Sequence, residues 1–239
     1  MKQQKAPASS DQAFYDEEPL ASPQSHAKWM REIEFYFRGY AAQLNDALAG
    51  TNGHVAELGA GSCGLSVCLS KLPNVKRIAS LDISMKRMRK MIDLSASILG
   101  GDKKKINAIA TDFNARLPFE DGELDALVFD AALHHARSMW NTLAECNRVL
   151  KHGGLLVAQR EAYLSPLRAH KQIKRLLGSP EVAASVSENI YLKEQYLYYL
   201  AVNGFSNEFQ PRTLGRMKRW LSPFNGILFT DGNLICRKK

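Results

Sequence analysis

Residues 55–66 read Val-Ala-Glu-Leu-Gly-Ala-Gly-Ser-Cys-Gly-Leu-Ser. An apolar run meets an acid, turns through glycines and opens an amphipathic stretch. A strand that turns this sharply into a helix is the first half of a β–α–β unit, which demands a parallel sheet with crossover helices. Gly59 and Gly61 permit the tight turn and let a ligand lie against bare backbone, while the following helix aims its free N–H groups at that ligand. The stretch also spells Gly-x-Gly-x-x-Gly, so on its own it leaves a dinucleotide among the candidates.

Later segments narrow the choice. Asp82 ends the apolar run Arg77-Ile-Ala-Ser-Leu-Asp82, at an interval after Gly59 that suits a carboxylate accepting from ribose hydroxyls. Asp112 closes a third short strand that starts at Ile106, and Phe113 follows it. The segment from Leu117 to His135 and the segment from Glu145 through Gly153-Gly154 to Val157 complete the series. Five segments in this order, over residues 50–160, resemble the class I S-adenosylmethionine-dependent methyltransferases, especially the small-molecule branch that includes the quinone-ring methyltransferases.

The resemblance implies roles. Glu57 holds the methionine end of the cofactor, Gly59, Ala60 and Gly61 pass beneath it, Asp82 and Ile83 take the ribose, and Asp112 with Phe113 binds adenine. Asp130, at the end of the fourth strand, belongs to the same cofactor set, and Tyr15 matches a tyrosine segment that folds over the cofactor as a lid, or is an incidental aromatic. The chemistry agrees: an ammonium, a diol and an exocyclic amine are all donors, which acids at successive strand ends suit, whereas a dinucleotide needs its pyrophosphate cradled. One departure stands out. The family's third glycine falls at Cys63, with Gly64 one place later, and Cys63 reads as a tolerated small buried residue.

Methyl transfer from a sulfonium has a neutral leaving group, so alignment and water exclusion matter most. A base is needed only for a protonated nucleophile, and Asp130, His134 and His135 are the candidates just past strand four. Packing or helix capping is an equal reading for each histidine. Arg160 and Glu161, just past strand five, and Tyr196 and Tyr199 are candidate substrate contacts, with packing as the alternative for the tyrosines. The adjacent histidines imply no third ligand, so catalysis is expected to be metal-free.

The fold expected is α/β: a Rossmann-like, doubly wound, seven-stranded, mostly parallel sheet with an antiparallel last strand and a helical cap inserted after strand five. Residues 1–25 read as a flexible arm or lid, and 26–239 as a single domain with the cap over 163–190. Helices are expected over 26–49, 64–72, 84–99 and 137–151, strand five over 155–159, and a helix from Tyr191 ending in Asn203-Gly-Phe205. Ile227-Leu-Phe-Thr and Asn233-Leu-Ile-Cys236 read as a hairpin-like end.

The four cysteines form no Cys-x-x-Cys pair, the first residues lack an apolar signal core, and no run of eighteen apolar residues predicts a membrane span. A cytoplasmic protein is expected. The net charge of +8 lies entirely in residues 150–239, with 14 basic and 6 acidic residues, whereas residues 1–149 carry 18 of each. Two runs dominate, Arg168–Arg175 and Arg212–Arg219. They read as solvated helix faces, as a site for an anionic or carrier-bound small molecule, or as a nucleic-acid contact.

The leading function is therefore methylation of O or N on a small anionic metabolite with S-adenosyl-L-methionine as cofactor. An RNA methyltransferase is the alternative, although Asp130-Ala-Ala-Leu stands where an Asn/Asp-Pro-Pro-Phe/Tyr motif would be, and nucleic acid is the less favoured partner. A non-catalytic cofactor-binding scaffold is the third reading. The sequence carries no signal for oligomeric state.

Overall fold

The computed structural model describes residues 10–17, 22–184, 186–211 and 231–239. The basic run Arg212–Arg219 and the segment Ile227–Thr230 lie outside the described residues. In chain order the elements are α1 (Ser10–Glu17), α2 (Pro23–Arg38), α3 (Ala41–Ala47), β1 (His54–Leu58), α4 (Gly64–Ser70), β2 (Arg77–Asp82), α5 (Met85–Leu99), β3 (Ile106–Ala110), β4 (Leu124–Asp130), α6 (Met139–Val149), β5 (Leu150–Leu164), α7 (Ala169–Leu177), α8 (Pro180–Ala183), β6 (Tyr191–Leu192), α9 (Lys193–Val202), β7 (Phe205–Pro211) and β8 (Asp231–Lys238).

The sheet runs β3-β2-β1-β4-β5-β8-β7. Its first five strands are parallel, and β8 is antiparallel to both β5 and β7. The expected seven strands make up this path, but the sheet has eight: β6 adds a two-residue parallel pairing to the end of β5, at Tyr163 and Leu164. The extra pairing exists because β5 is fifteen residues long, so the insert starts at residue 165 rather than 163.

Strand order reverses between β1 and β4, the place where the loops at the carboxyl ends of a parallel sheet diverge and leave a crevice. Both faces of the sheet are covered. Val55, Val128 and Val157 pack under α2 with Met30, Ile33 and Phe37. Leu58, Leu127, Phe129 and Leu156 pack on the opposite face with Leu143 and Cys146 of α6 and Leu200 of α9. Burial on both faces explains why β1 and β4 read as continuous apolar runs rather than alternating ones. Removing a fully buried ring such as Phe129 would cost about 3–5 kcal/mol.

The stretch expected as one helix over 26–49 is two. α2 starts earlier, with Pro23 in its first turn and Ser22 Oγ accepting from Ser25 N at 3.2 Å, and it stops at Gly39. Tyr40 opens α3, and its fully buried ring sends its hydroxyl to Gln159 Oε1 at 2.8 Å, tying the break to β5.

Candidate active site

A cavity of about 260 Å³ opens at the crevice, lined by Gly59, Ala60 and Gly61 after β1, Asp82 and Ile83 after β2, Asp112 and Phe113 after β3, and Asp130, Ala131, Ala132 and His135 after β4. Tyr15 and Asp11 of α1 and Trp29 of α2 close its outer side. Most of the expected cofactor set is thus brought together.

The glycine loop approaches the turn after β4 closely. A Cβ on Gly59 (φ +71°) would sit 2.7 Å from Ala132 Cβ and 3.5 Å from Phe113 Cε1. Asp82 pins this loop: its Oδ2 accepts from Gly61 N at 2.7 Å and its Oδ1 from Ser84 N at 2.8 Å. Burial pushes the Asp82 carboxyl up, and those two backbone N–H groups oppose the push. Cys63 adopts a left-handed φ of 58°, which explains why relatives place a glycine there. Its side chain is buried with Ala60 and Met88, outside the cavity lining, and burial raises its thiol pKa, so it neither narrows the loop nor supplies a thiolate.

Glu57 departs from expectation. Its side chain is buried beneath the loop, where Oε2 accepts from Ser66 N at 2.7 Å and from Ser66 Oγ. It does not line the cavity, because the start of α4 captures it. Burial pushes its pKa up to about 8 against the lowering effect of Ser66.

Asp112 accepts from Asn114 N at 2.9 Å and pairs with Arg137 Nη1 at 2.9 Å. Arg137 also reaches Asp11 at 2.8 Å, so one guanidinium ties α1 to the tip of β3. Tyr15 lies edge-on to His135 at 6.3 Å, with the Arg87 guanidinium 5.7 Å from its ring centre.

Asp130 is occupied. Its Oδ1 accepts from Arg160 Nε at 2.6 Å and Gln159 Nε2 at 2.8 Å, and its Oδ2 from Arg160 Nη2 at 2.8 Å. This bidentate pair engages both carboxylate oxygens and turns them to Arg160 rather than to a substrate, which corrects the reading of Asp130 as a base. Arg160 sits at φ 58° in a β-bulge of β5 and stacks 5.9 Å from the Trp29 ring centre. Burial works against its charge, but Asp130 more than offsets this. The role structurally assigned to Arg160 is to hold Asp130, and it lines neither cavity.

Glu161 likewise lines neither cavity. Its buried carboxylate accepts from Ala132 N (3.0 Å) and Leu133 N (2.9 Å) and from His134 Nδ1 (2.8 Å), fixing the turn after β4 and the ring of His134 together. Burial would raise the Glu161 pKa and lower that of His134, yet their pairing wins: Glu161 is shifted down and His134 up. His135 shifts down, through burial and then through His134 beside it, and its Nδ1 donates to Ser187 O at 2.6 Å.

Tyr196 and Tyr199 are corrected to packing. Tyr196 is buried and Tyr199 packs against the same core, and neither lines the cofactor crevice or the cavity under the insert. Their spacing on α9 places both on its inner face.

A second cavity, about 820 Å³, lies beyond His134 under the insert, lined by Arg168, Lys171 and Arg175 together with Gln172, Glu181 and Glu188. Glu181 lines both cavities. Among the described residues Arg168, Lys171 and Arg175 make no ion pair. Trp29, Arg137 and Glu188 were missed by sequence reasoning. Trp29 falls within the stretch expected as a helix over 26–49, and Glu188, the third ligand-type group beside the two histidines, is brought in by the insert.

Residues 56–158 match the family model described as a methyltransferase domain. An Arabidopsis thaliana protein described as an uncharacterized chloroplastic methyltransferase is 30% identical over 146 residues, 61% of this chain and 40% of that protein, so the chain spans well under half of that curated relative. The fold is shared with a chain of the complex between the Haloferax volcanii Trm112 methyltransferase activator and a methyltransferase (TM-score 0.62, 17% identity, 98% of this chain and 99% of that one). It is shared also with the trans-methyltransferase CalH bound to SAH (TM-score 0.57, 15% identity, 82% and 55%). No helix of the described residues is long and apolar enough to cross a membrane. Over residues 56–158 the chain is thus similar to a methyltransferase domain, and its fold is shared with methyltransferases of known structure.

Proposed function

We propose that this chain transfers a methyl group from S-adenosylmethionine to an oxygen or nitrogen of a small anionic metabolite. The observation that carries the substrate class is the second cavity: three cations of the insert, without ion pairs among the described residues, line a space that shares Glu181 with the cofactor crevice. When bound, S-adenosylmethionine supplies an electrophilic methyl group. The chain's part is to hold, orient and dry the site. Asp82 and Asp112 at the strand tips suit a diol and an adenine edge, and a Cβ added at Gly61, which lines the cavity, would meet nothing within 4 Å, so the backbone there is open to a ligand.

The cavity is slightly smaller than the ~300–1,000 Å³ of ordinary ligand pockets. That is consistent with α1 acting as a lid that lies across it, and with 26–239 as one domain capped by the insert. His134 is the better candidate base. It lines the substrate-side cavity, and Glu161 both orients its ring and strengthens its affinity for a proton. Asp130 and Glu161 are positioning residues. The free, buried cysteines suit a reducing compartment such as the cytoplasm.

Calorimetric titration with S-adenosylhomocysteine, with Asp82→Ala as control, tests the cofactor. Lys171→Glu and Arg175→Glu test the substrate class. Each should raise KM for carboxylate or phosphate acceptors by about tenfold and leave affinity for S-adenosylhomocysteine unchanged. Equal KM for neutral and acidic acceptors at low salt would remove the anionic reading. Tight RNA binding that collapses as salt rises would favour the RNA alternative.

A further inference from the structure

His134 and His135 share a neighbour that the methyl-transfer reading does not use. Glu188 Oε1 lies 3.7 Å from His134 Nε2, and Glu188 Oε2 lies 3.1 Å from His135 Nδ1. The two rings are 4.3 Å apart. One donor atom from each of the three residues falls within 4.8 Å of the others.

Proton placement makes this arrangement uncomfortable without a cation. Glu161 spends one oxygen on two backbone N–H groups and the other on His134 Nδ1, which therefore carries the proton. In the neutral ring, Nε2 then presents a lone pair toward a carboxylate. Glu188 Oε2 is buried and has no hydrogen-bond partner among the described residues. One added proton can relieve one of these contacts, whereas a metal ion accepts from all three atoms at once.

We propose that His134, His135 and Glu188 form a binding site for a divalent transition-metal ion. Two imidazoles and one carboxylate make a borderline donor set that favours Zn²⁺, Co²⁺ or Mn²⁺ over Mg²⁺ or Ca²⁺. Glu161 behind His134 is the outer carboxylate that orients a metal-bound imidazole and sets its tautomer. Occupancy requires the proton on His135 Nδ1 to leave Ser187 O and move to Nε2, a tautomer change with no change in charge.

The placement gives the ion work to do. His134 and Glu188 line the cation-rich cavity, and His135 lines the cofactor cavity. The three ligands leave coordination positions open on the wall between the two. Resting on the methyl transfer of the proposed function, with the ion taking the His134 lone pair that a base would otherwise use, the ligand taken there is the anionic or hydroxyl group of the methyl acceptor, held beside the cofactor crevice. Asn189, which donates to His134 O at 3.1 Å and Ala136 O at 3.3 Å, ties the Glu188 segment to the histidine turn.

The experiment strips the full chain with chelator, then titrates it with Zn²⁺ by calorimetry and with Co²⁺ by visible absorption. S-adenosylhomocysteine affinity is measured separately on each protein. One equivalent should bind with Co²⁺ ligand-field bands. Glu188→Gln should weaken binding by at least about tenfold and Glu161→Gln by about 10- to 100-fold, while Glu188→Gln keeps the affinity for S-adenosylhomocysteine. Glu188→Gln, at a partly exposed cavity wall, keeps the test decisive if the buried Glu161→Gln does not fold. Absence of stoichiometric binding, or binding untouched by Glu188→Gln, overturns the site and leaves a proton as the bridging cation. Metal binding without any affinity for S-adenosylhomocysteine would instead overturn the proposed function and leave the site standing.

Discussion

At the cofactor crevice, Asp82, Asp112 and Asp130 each accept from neighbours that also build the fold: a glycine-loop amide, an Asn114 amide, the Arg160 fork. Across Glu181, the insert presents Arg168, Lys171 and Arg175 without ion pairs among the described residues, on helices that bury no residue at all. The first region commits its charges to the fold, and the proposed function asks them to hold the ligand as well. The second holds its charges in reserve. Substitutions in the crevice should therefore move stability and binding together, and substitutions in the insert should move binding alone.

The sharpest break of that contrast is at Asp130. Removing one partner of a buried pair leaves an uncompensated charge, and the side chains of Asp130 and Arg160 are only 6% and 12% exposed. Asp130→Ala should cost about 3–5 kcal/mol in urea denaturation. Lys171→Glu should stay within about 0.5 kcal/mol of the parent. A small loss at Asp130, or a large one at Lys171, would end the distinction.

Glu57 gives the next effect, read through pH. Its carboxyl titrates at about 8 in the fold, against an ordinary 4.5. Between those values the unfolded chain has lost the proton that the folded chain still holds, so stability falls as pH rises. The difference between about pH 5 and about pH 7.5 should be on the order of 3 kcal/mol from this group. Glu57→Gln should flatten that part of the profile. A profile rising with pH in the parent, unchanged by the substitution, would show that the carboxylate is ionised in the fold and that Ser66 outweighs burial.

The same contrast explains what could be read from the chain. β1, β2 and β4 were legible because strands buried on both faces must be apolar throughout, and Asp82 and Asp112 were legible because acids ending such strands interrupt the pattern. The partners of the acids were not. Ser66 taking Glu57, and Arg160 taking Asp130 from a left-handed bulge, depend on which way a side chain turns at the strand end, and residue spacing does not encode that. Tyr196 and Tyr199 were ambiguous because an aromatic stripe on a helix suits a core and a pocket equally. In the insert the positive charge was visible but its target was not: cations make a cavity only once α7 folds back over His134.

The smallest effect lies at the seam between the two behaviours. Arg137 is about half exposed, yet it bridges Asp112 of the crevice to Asp11 of α1. Exposed pairs contribute about 0.2–1 kcal/mol and weaken with salt, too little to hold the fold but enough to bias a lid. Arg137→Gln should leave denaturation midpoints almost unchanged while raising the dissociation rate of S-adenosylhomocysteine by about two- to fivefold, since 1 kcal/mol corresponds to about that factor. Added salt should raise the rate in the parent and have little further effect in the variant. If salt and substitution both leave the rate alone, α1 is packing rather than a gate, and the crevice is closed by the same doubly used contacts that build it.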